Sequence, residues 1–172
     1  SNALGTMLAS NSGLYQLNTA GITVIENQPI VGLGSYGNAF IYASPSAVSI
    51  WDGVMIDSGL NDFFENQTFT GLAVFNDDLW VATEQSVYLH QVDGIIEFPD
   101  LVGVTHFSSF ASSNQVVLSA SDGSSYLLEN IGGDYYGQSL ATEPVSQALI
   151  GTQNSILAHH NGVLMQHLAG AT

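Results

Sequence analysis

The chain has 172 residues, of which 15 are acidic and none is lysine or arginine, giving a formal net charge of −15 with its five histidines neutral. Nucleic acid and anionic membrane surfaces are thereby excluded as partners, since both are held through lysine and arginine. The absence of cysteine removes disulfides, thiolate metal sites and cysteine nucleophiles.

That length suffices for one domain with a sizeable core and no cross-links. Only 9% of the residues are charged, against about 25% in an ordinary domain. Stability therefore has to come from burial and backbone hydrogen bonding, because a side-chain ion pair would need a protonated histidine. Such a chain offers trypsin-like proteases no cleavage site, an advantage outside a cell, although drift in a low-charge repeat family gives the same composition. Ser1, Asn2 and Ala3 read as the remnant of a cleaved tag and are set aside. No apolar run reaches the roughly 18 residues of a membrane-spanning helix, and no signal-peptide pattern is present.

Helical periodicity is nearly absent, whereas short apolar runs bounded by Gly, Asn, Asp and Ser occur throughout, so the chain is expected to be all-β. In chain order the strands are expected at Met7–Ala9, Leu14–Leu17 and Ile22–Ile25, then at Ile30–Gly34, Phe40–Ala43, Val48–Trp51 and Val54–Ile56. A third group covers Thr70–Phe75, Leu79–Ala82, Val87–Val92 and Ile95–Phe98. A fourth covers Val104–Phe110, Val116–Ala120, Ser125–Leu128 and Asp134–Gln138, and a fifth Val145–Ile150, Ser155–Ala158 and Val163–Leu168.

The groups repeat. Two apolar residues lead into an alanine, a turn follows, and a small residue opens the next apolar run. The alanines are Ala9, Ala43, Ala82, Ala120 and Ala158, spaced by 34, 39, 38 and 38 residues. Four strands in such a period are the size of a β-propeller blade. A blade is covered on both faces, so its middle strands should be apolar without alternation, as Phe40-Ile41-Tyr42-Ala43 and Leu79-Trp80-Val81-Ala82 are. The expectation is a single propeller domain over residues 4–172, with units near 4–29, 30–68, 69–103, 104–144 and 145–172. It is either a propeller of about five blades with incomplete terminal blades or a segment of a larger one. A segment would expose apolar blade faces through which it could self-associate.

The stretch Leu79–Gly94, LWVATEQSVYLHQVDG, resembles the two-component regulator propeller repeat, with weaker likeness at Gly13–Leu17 and Gly162–Leu168. Gln85 and Ser86 stand where that repeat usually has glycines. The resemblance implies an extracytoplasmic sensing propeller in a bacterial envelope or secreted protein and supplies no catalytic residues. Phage tail and surface-adhesin propellers are similar at this level.

Gly32-Leu33-Gly34-Ser35-Tyr36-Gly37 fits a dinucleotide-loop spacing, but a strand rather than a helix should follow it, which leaves a pyrophosphate no helix N-terminus. The glycines are instead expected to serve a turn and close packing. A sialidase-like site lacks arginine, and a copper-radical site lacks cysteine. A carboxylate-dependent glycan-active enzyme would need two carboxyls about 5 to 10 Å apart, for which Asp77, Asp78, Asp93, Asp122 and Asp134 are candidates, although acids at strand ends are mostly turn formers. His159-His160 are adjacent on a strand and point to opposite faces, so no metal and no cofactor are expected. His90, His106 and His167 read as isolated strand positions, and Asn66-Gln67-Thr68 matches a glycosylation sequon.

In an antiparallel blade the turn between the second and third strands shares a rim with the connection to the next blade. That rim would collect the turn residues Glu84, Asp122 and His160. It would also collect two connectors, Ser58–Thr68 with Phe63 and Phe64, and Gly132–Pro144 with Tyr135 and Tyr136. Aromatic pairs beside carboxylates and a histidine would suit a shallow face for a protein or carbohydrate ligand; alternatively, the rings tuck over blade edges. The first reading is a non-catalytic binding module, in which Tyr135→Ala with Tyr136→Ala abolishes binding. The others are a structural propeller in a larger assembly and, third, the glycan-active enzyme.

Overall fold

The computed structural model describes residues 5–75, 78–109, 115–131, 133–139, 147–151, 155–160 and 163–168, with side chains within 5–75, 78–107, 115–131, 133–137 and at 139. The described chain is all-β and divides into two compact units after Val102.

The first unit begins with an antiparallel sheet of β1 (Thr6–Ser10), β2 (Gly13–Asn18) and β3 (Gly21–Glu26). Two four-stranded blades follow. One is β4 (Gly32–Tyr36), β5 (Ala39–Ser44), β6 (Ala47–Trp51) and β7 (Met55–Asp57). The other is β8 (Phe69–Phe75), β9 (Asp78–Thr83), β10 (Val87–Gln91) and β11 (Gly94–Phe98). Within each blade the strands run antiparallel in sequence order, and the two blades touch at their first strands through one parallel pairing, Gly32 opposite Leu72.

That contact explains two glycines of the G-x-G-x-x-G stretch. A Cβ on Gly32 would run into the Leu72 backbone and its Cβ, and one on Gly34 would lie 2.6 Å from Val74 Cγ2. Gly37, at φ +58°, turns the chain into β5, a strand. The glycines let two backbones approach.

β5 shows why a blade's middle strand is apolar throughout. Successive side chains of a strand point to opposite faces. Ile41 and Ala43 pack with Val48, Leu72, Leu79 and Val81 in the core shared with the next blade. Phe40 and Tyr42 pack with Met7, Leu14 and Ile30 in a second core on the side of β1 and β2. A polar residue at any of these four positions would be buried without water.

The repeating alanines hold the same register where the sheets are alike: Ala9 faces Leu14, Ala43 faces Val48 and Ala82 faces Val87. Ala43 and Ala82 are fully buried. Ala9 is exposed, because β1 is a sheet edge among the described residues and nothing packs over that position.

The second unit holds a four-stranded antiparallel blade, β12 (Val104–Ser109), β13 (Gln115–Ala120), β14 (Ser125–Ile131) and β15 (Asp134–Ser139), and a three-stranded sheet, β16 (Gln147–Gly151), β17 (Ser155–His160) and β18 (Val163–Leu168). Val104, Val117 and Leu118 are buried in the blade. In the last sheet the repeat departs from the sequence alignment. His160 pairs with Val163 and His159 with Leu164, so His159, not Ala158, stands where Ala43 and Ala82 stand.

Candidate functional site

In four of the repeats, the turn at the end of the strand that carries the repeating alanine is fastened to the segment that enters a blade. In the first unit Ile30 N–H donates to the Ser10 carbonyl, Phe69 N–H to Pro45 O, and Glu84 N–H to Thr68 O, each at 3.0 Å. In the second unit Ser121 N–H donates to Gly103 O at 2.9 Å. A hydroxyl one residue past the repeating alanine tightens several of these turns: Ser44 Oγ accepts from Ala47 N–H, and Thr83 Oγ1 from Gln85 and Ser86 N–H. This is the side-chain turn chemistry that serine and threonine favour.

The connector between β7 and β8 is anchored from below. Asn61 spans its own blade, accepting from Val48 N–H at 2.9 Å and donating to Val48 O at 3.1 Å and Asp57 Oδ1 at 2.8 Å. Residues 61–66 form a tight turn in which Phe63 and Phe64 N–H both donate to Leu60 O. Phe64 consequently drops into the core between the two blades at 3% exposure. Phe63, its neighbour, stays outside at 53%.

Phe63 is not loose. Its ring meets Phe64 edge-on at 4.8 Å and Tyr88 at 5.9 Å between centroids. Tyr88, on β10, is 5% exposed, and its hydroxyl lies 3.3 Å from Glu97 Oε1 and 3.4 Å from the Gln67 amide. Glu97 stands opposite Tyr88 on β11, and its Oε1 also accepts from Ser86 Oγ at 2.9 Å. The second carboxylate oxygen takes no hydrogen bond among the described residues. The result is a small surface with an exposed aromatic ring, a half-buried amide and an exposed carboxylate, arranged around one tyrosine.

The residues expected on the rim divide among several places. Phe63, Phe64 and Glu84 belong to the first unit's rim, where Phe64 is a core residue and Glu84 an exposed turn residue held through its backbone. Asp122 sits in the β13–β14 turn of the second unit, its Oδ1 accepting from Ser124 N–H at 2.8 Å. That bond and the Ser124 hydroxyl hold its carboxyl below the usual aspartate value. His160 is the last residue of β17, not a turn residue; its side chain lies outside the described residues.

Tyr135 and Tyr136 are corrected most. They lie in β15, opposite Asn130 and Glu129 and beside the β14–β15 turn, not in a connector. Asn130 is five residues beyond Ser125, or about 16 Å along the strand, so these tyrosines are at the end of the blade away from Asp122. Opposite faces of one strand cannot make them a pair. Among the carboxylates considered for catalysis, Asp78 is gripped by Gln91 Nε2 at 3.1 Å to both oxygens, and Asp77 lies outside the described residues. No group of three or more His, Asp or Glu suited to a metal occurs among the described residues.

Gln67, Ser86, Tyr88 and Glu97 were absent from the expected site. Glu97 comes across from Tyr88 through the register of the β10–β11 hairpin, in which Gln91 faces Gly94.

No protein family's sequence profile matches this chain, and no curated protein does. Solved structures do. YCF48 bound to a D1 peptide is 12% identical with a TM-score of 0.60, covering 96% of this chain and 64% of its own. The WD40 β-propeller domain of Doa1 is 8% identical with a TM-score of 0.60, covering 97% and 62%. PorZ, a bacterial surface component of the type-IX secretion system of Porphyromonas gingivalis, is 15% identical with a TM-score of 0.63, covering 99% and 25%. The chain spans less than two thirds of the length of each of these proteins, and at such identities the likeness is one of fold: its sheets are β-propeller blades.

Proposed function

We propose that this chain is a non-catalytic, protein-binding β-propeller module that takes a peptide segment of its partner on the rim carrying residues 58–68. The observation that carries this reading is Phe63: a large ring left 53% exposed, yet fixed by two other rings and flanked by amide, hydroxyl and carboxylate groups. A rigid aromatic anchor with polar neighbours is the usual make-up of a binding hot spot. The peptide held by the YCF48 propeller supports the choice of partner class. Of the carboxylates with described partners, Asp57, Asp78 and Asp122 serve turns and strand pairing, which supports a binding role over a catalytic one. An envelope or secreted setting fits a chain without a lysine or arginine for trypsin-like proteases to cut.

The test is binding of the chain to an array of immobilised random-sequence peptides. Phe63→Ala should lower the bound signal about thirtyfold or more, the loss typical of a hot-spot aromatic, while the melting transition stays cooperative. Undiminished binding by folded Phe63→Ala would overturn the reading.

A further inference from the structure

We infer that the Phe63–Tyr88–Glu97 surface selects a cationic side chain, lysine or arginine, from a peptide segment of its partner; this rests on the rim reading above. Glu97 is exposed, and only one of its carboxylate oxygens is engaged among the described residues, by the hydroxyls of Ser86 and Tyr88. Both are neutral donors, so the carboxylate is oriented but its charge is not compensated. No lysine or arginine of this chain can compensate it, because the chain contains neither. Such a side chain has to come from another molecule.

The aromatic half of the surface fits the same ligand. Phe63 meets Phe64 and Tyr88 at interplanar angles of 87°, and about half of its surface is in solvent. An aromatic face attracts a guanidinium or ammonium group within about 6 Å of its centroid. Tyr88 joins the two halves, its ring touching Phe63 and its hydroxyl touching Glu97. A basic side chain laid across Tyr88 would stack its stem or guanidinium on Phe63 and present its N–H groups to the free oxygen of Glu97. The Gln67 side chain, half-buried and within 3.4 Å of the Tyr88 hydroxyl, is placed to fix the backbone of the same segment. The net charge of −15 adds long-range attraction for a basic partner.

That general attraction is the alternative to be separated, and the peptide array separates it. The wild-type chain is compared with Glu97→Gln, which removes the site's charge while retaining a hydrogen-bond acceptor, and with Asp93→Asn, which removes the same charge in the exposed β10–β11 turn at the other end of the blade. Peptides retained by the wild-type chain should be enriched in lysine or arginine. Glu97→Gln should weaken those peptides about tenfold, the order expected for one charge-assisted contact, and Asp93→Asn less than about twofold. Equal losses in the two variants would show general charge attraction and overturn the inference. Retained peptides without basic enrichment, with Phe63→Ala still lowering binding, would also overturn it while leaving the rim reading intact. Binding indifferent to Phe63 would overturn both.

Discussion

Phe64 and Tyr88 meet edge to face, centroids 4.9 Å apart at 72°, and this contact ties the connector of one blade to the third strand of the next. Both rings are buried in the core between the blades. Phe63, one residue earlier, rests on the same two rings from outside. Core and candidate binding surface are therefore two sides of one aromatic cluster, and substitution separates them.

Phe64→Ala should lower stability by about 3 to 5 kcal/mol, the cost of a buried aromatic truncated to a cavity. Phe63→Ala should cost about 1 kcal/mol, since its ring is half in solvent and leaves no buried cavity behind. Chemical denaturation of the two variants checks this. Comparable losses would mean that Phe63 is a structural residue, and its effect on binding would then carry no weight.

Gly32→Ala should destabilise by about 1 to 3 kcal/mol through overpacking alone, because the added Cβ would meet the Leu72 backbone where the two blades touch. Gly59, whose Cβ would meet nothing within 4 Å but whose φ is +73°, provides the contrast: its replacement by alanine acts through backbone strain, and its replacement by asparagine should be tolerated better. At Gly32 the larger asparagine should be worse than alanine. Equal tolerance of asparagine at both positions would contradict the close approach of β4 and β8.

The strands were legible because a blade's chemistry is local: apolar runs, turn residues and one recurring alanine give each element nearly to its ends. The site was less so. Reading Asp93-Gly94 as the central pair of the β10–β11 turn would put Pro99 opposite Tyr88. In the structure Gln91 faces Gly94, the turn residues are Val92 and Asp93, and Glu97 arrives opposite Tyr88. Likewise, Asp134 could open either a connector or a fourth strand, and pairing with β14 decides for the strand, carrying Tyr135 and Tyr136 away from the rim. The serine or threonine after the alanine, at Ser10, Ser44, Thr83 and Ser121, was visible in the repeat, but only its bonds to the turn reveal its purpose.

Asp122 makes the fold acid-sensitive at one turn. Its folded pKa is lowered, first by the Ser124 N–H and then by the Ser124 hydroxyl. The stabilisation is therefore fully present above the ordinary aspartate value and is lost as pH falls through the lowered one. Carboxyl chemical shifts followed by NMR should show Asp122 titrating below the unfolded reference, and Asp122→Asn should remove that part of the acid dependence. A titration at or above the reference would contradict the turn geometry.

Tyr42 gives the opposite dependence at alkaline pH. Its pKa is raised from 10.0, chiefly by burial, against a lowering from the Ser49 hydroxyl and with a lesser rise from Glu26; the residue is 1% exposed and directs its hydroxyl at Met55 Sδ, 3.4 Å away. Between the unfolded and folded values the unfolded chain has released the phenolic proton and the folded chain has kept it, so stability falls as pH rises through that window and levels off above it. Tyr42→Phe deletes the ionisable group and the weak contacts of its hydroxyl with Met55 and Ser49. It should cost less than about 1 kcal/mol at neutral pH and be relatively more resistant than the wild-type chain above pH 10.0. Identical alkaline unfolding of the two proteins, with Tyr42 phenolate absorbance appearing before unfolding, would show that the Tyr42 hydroxyl reaches water in the folded state and that the core beside β1 and β2 is open there.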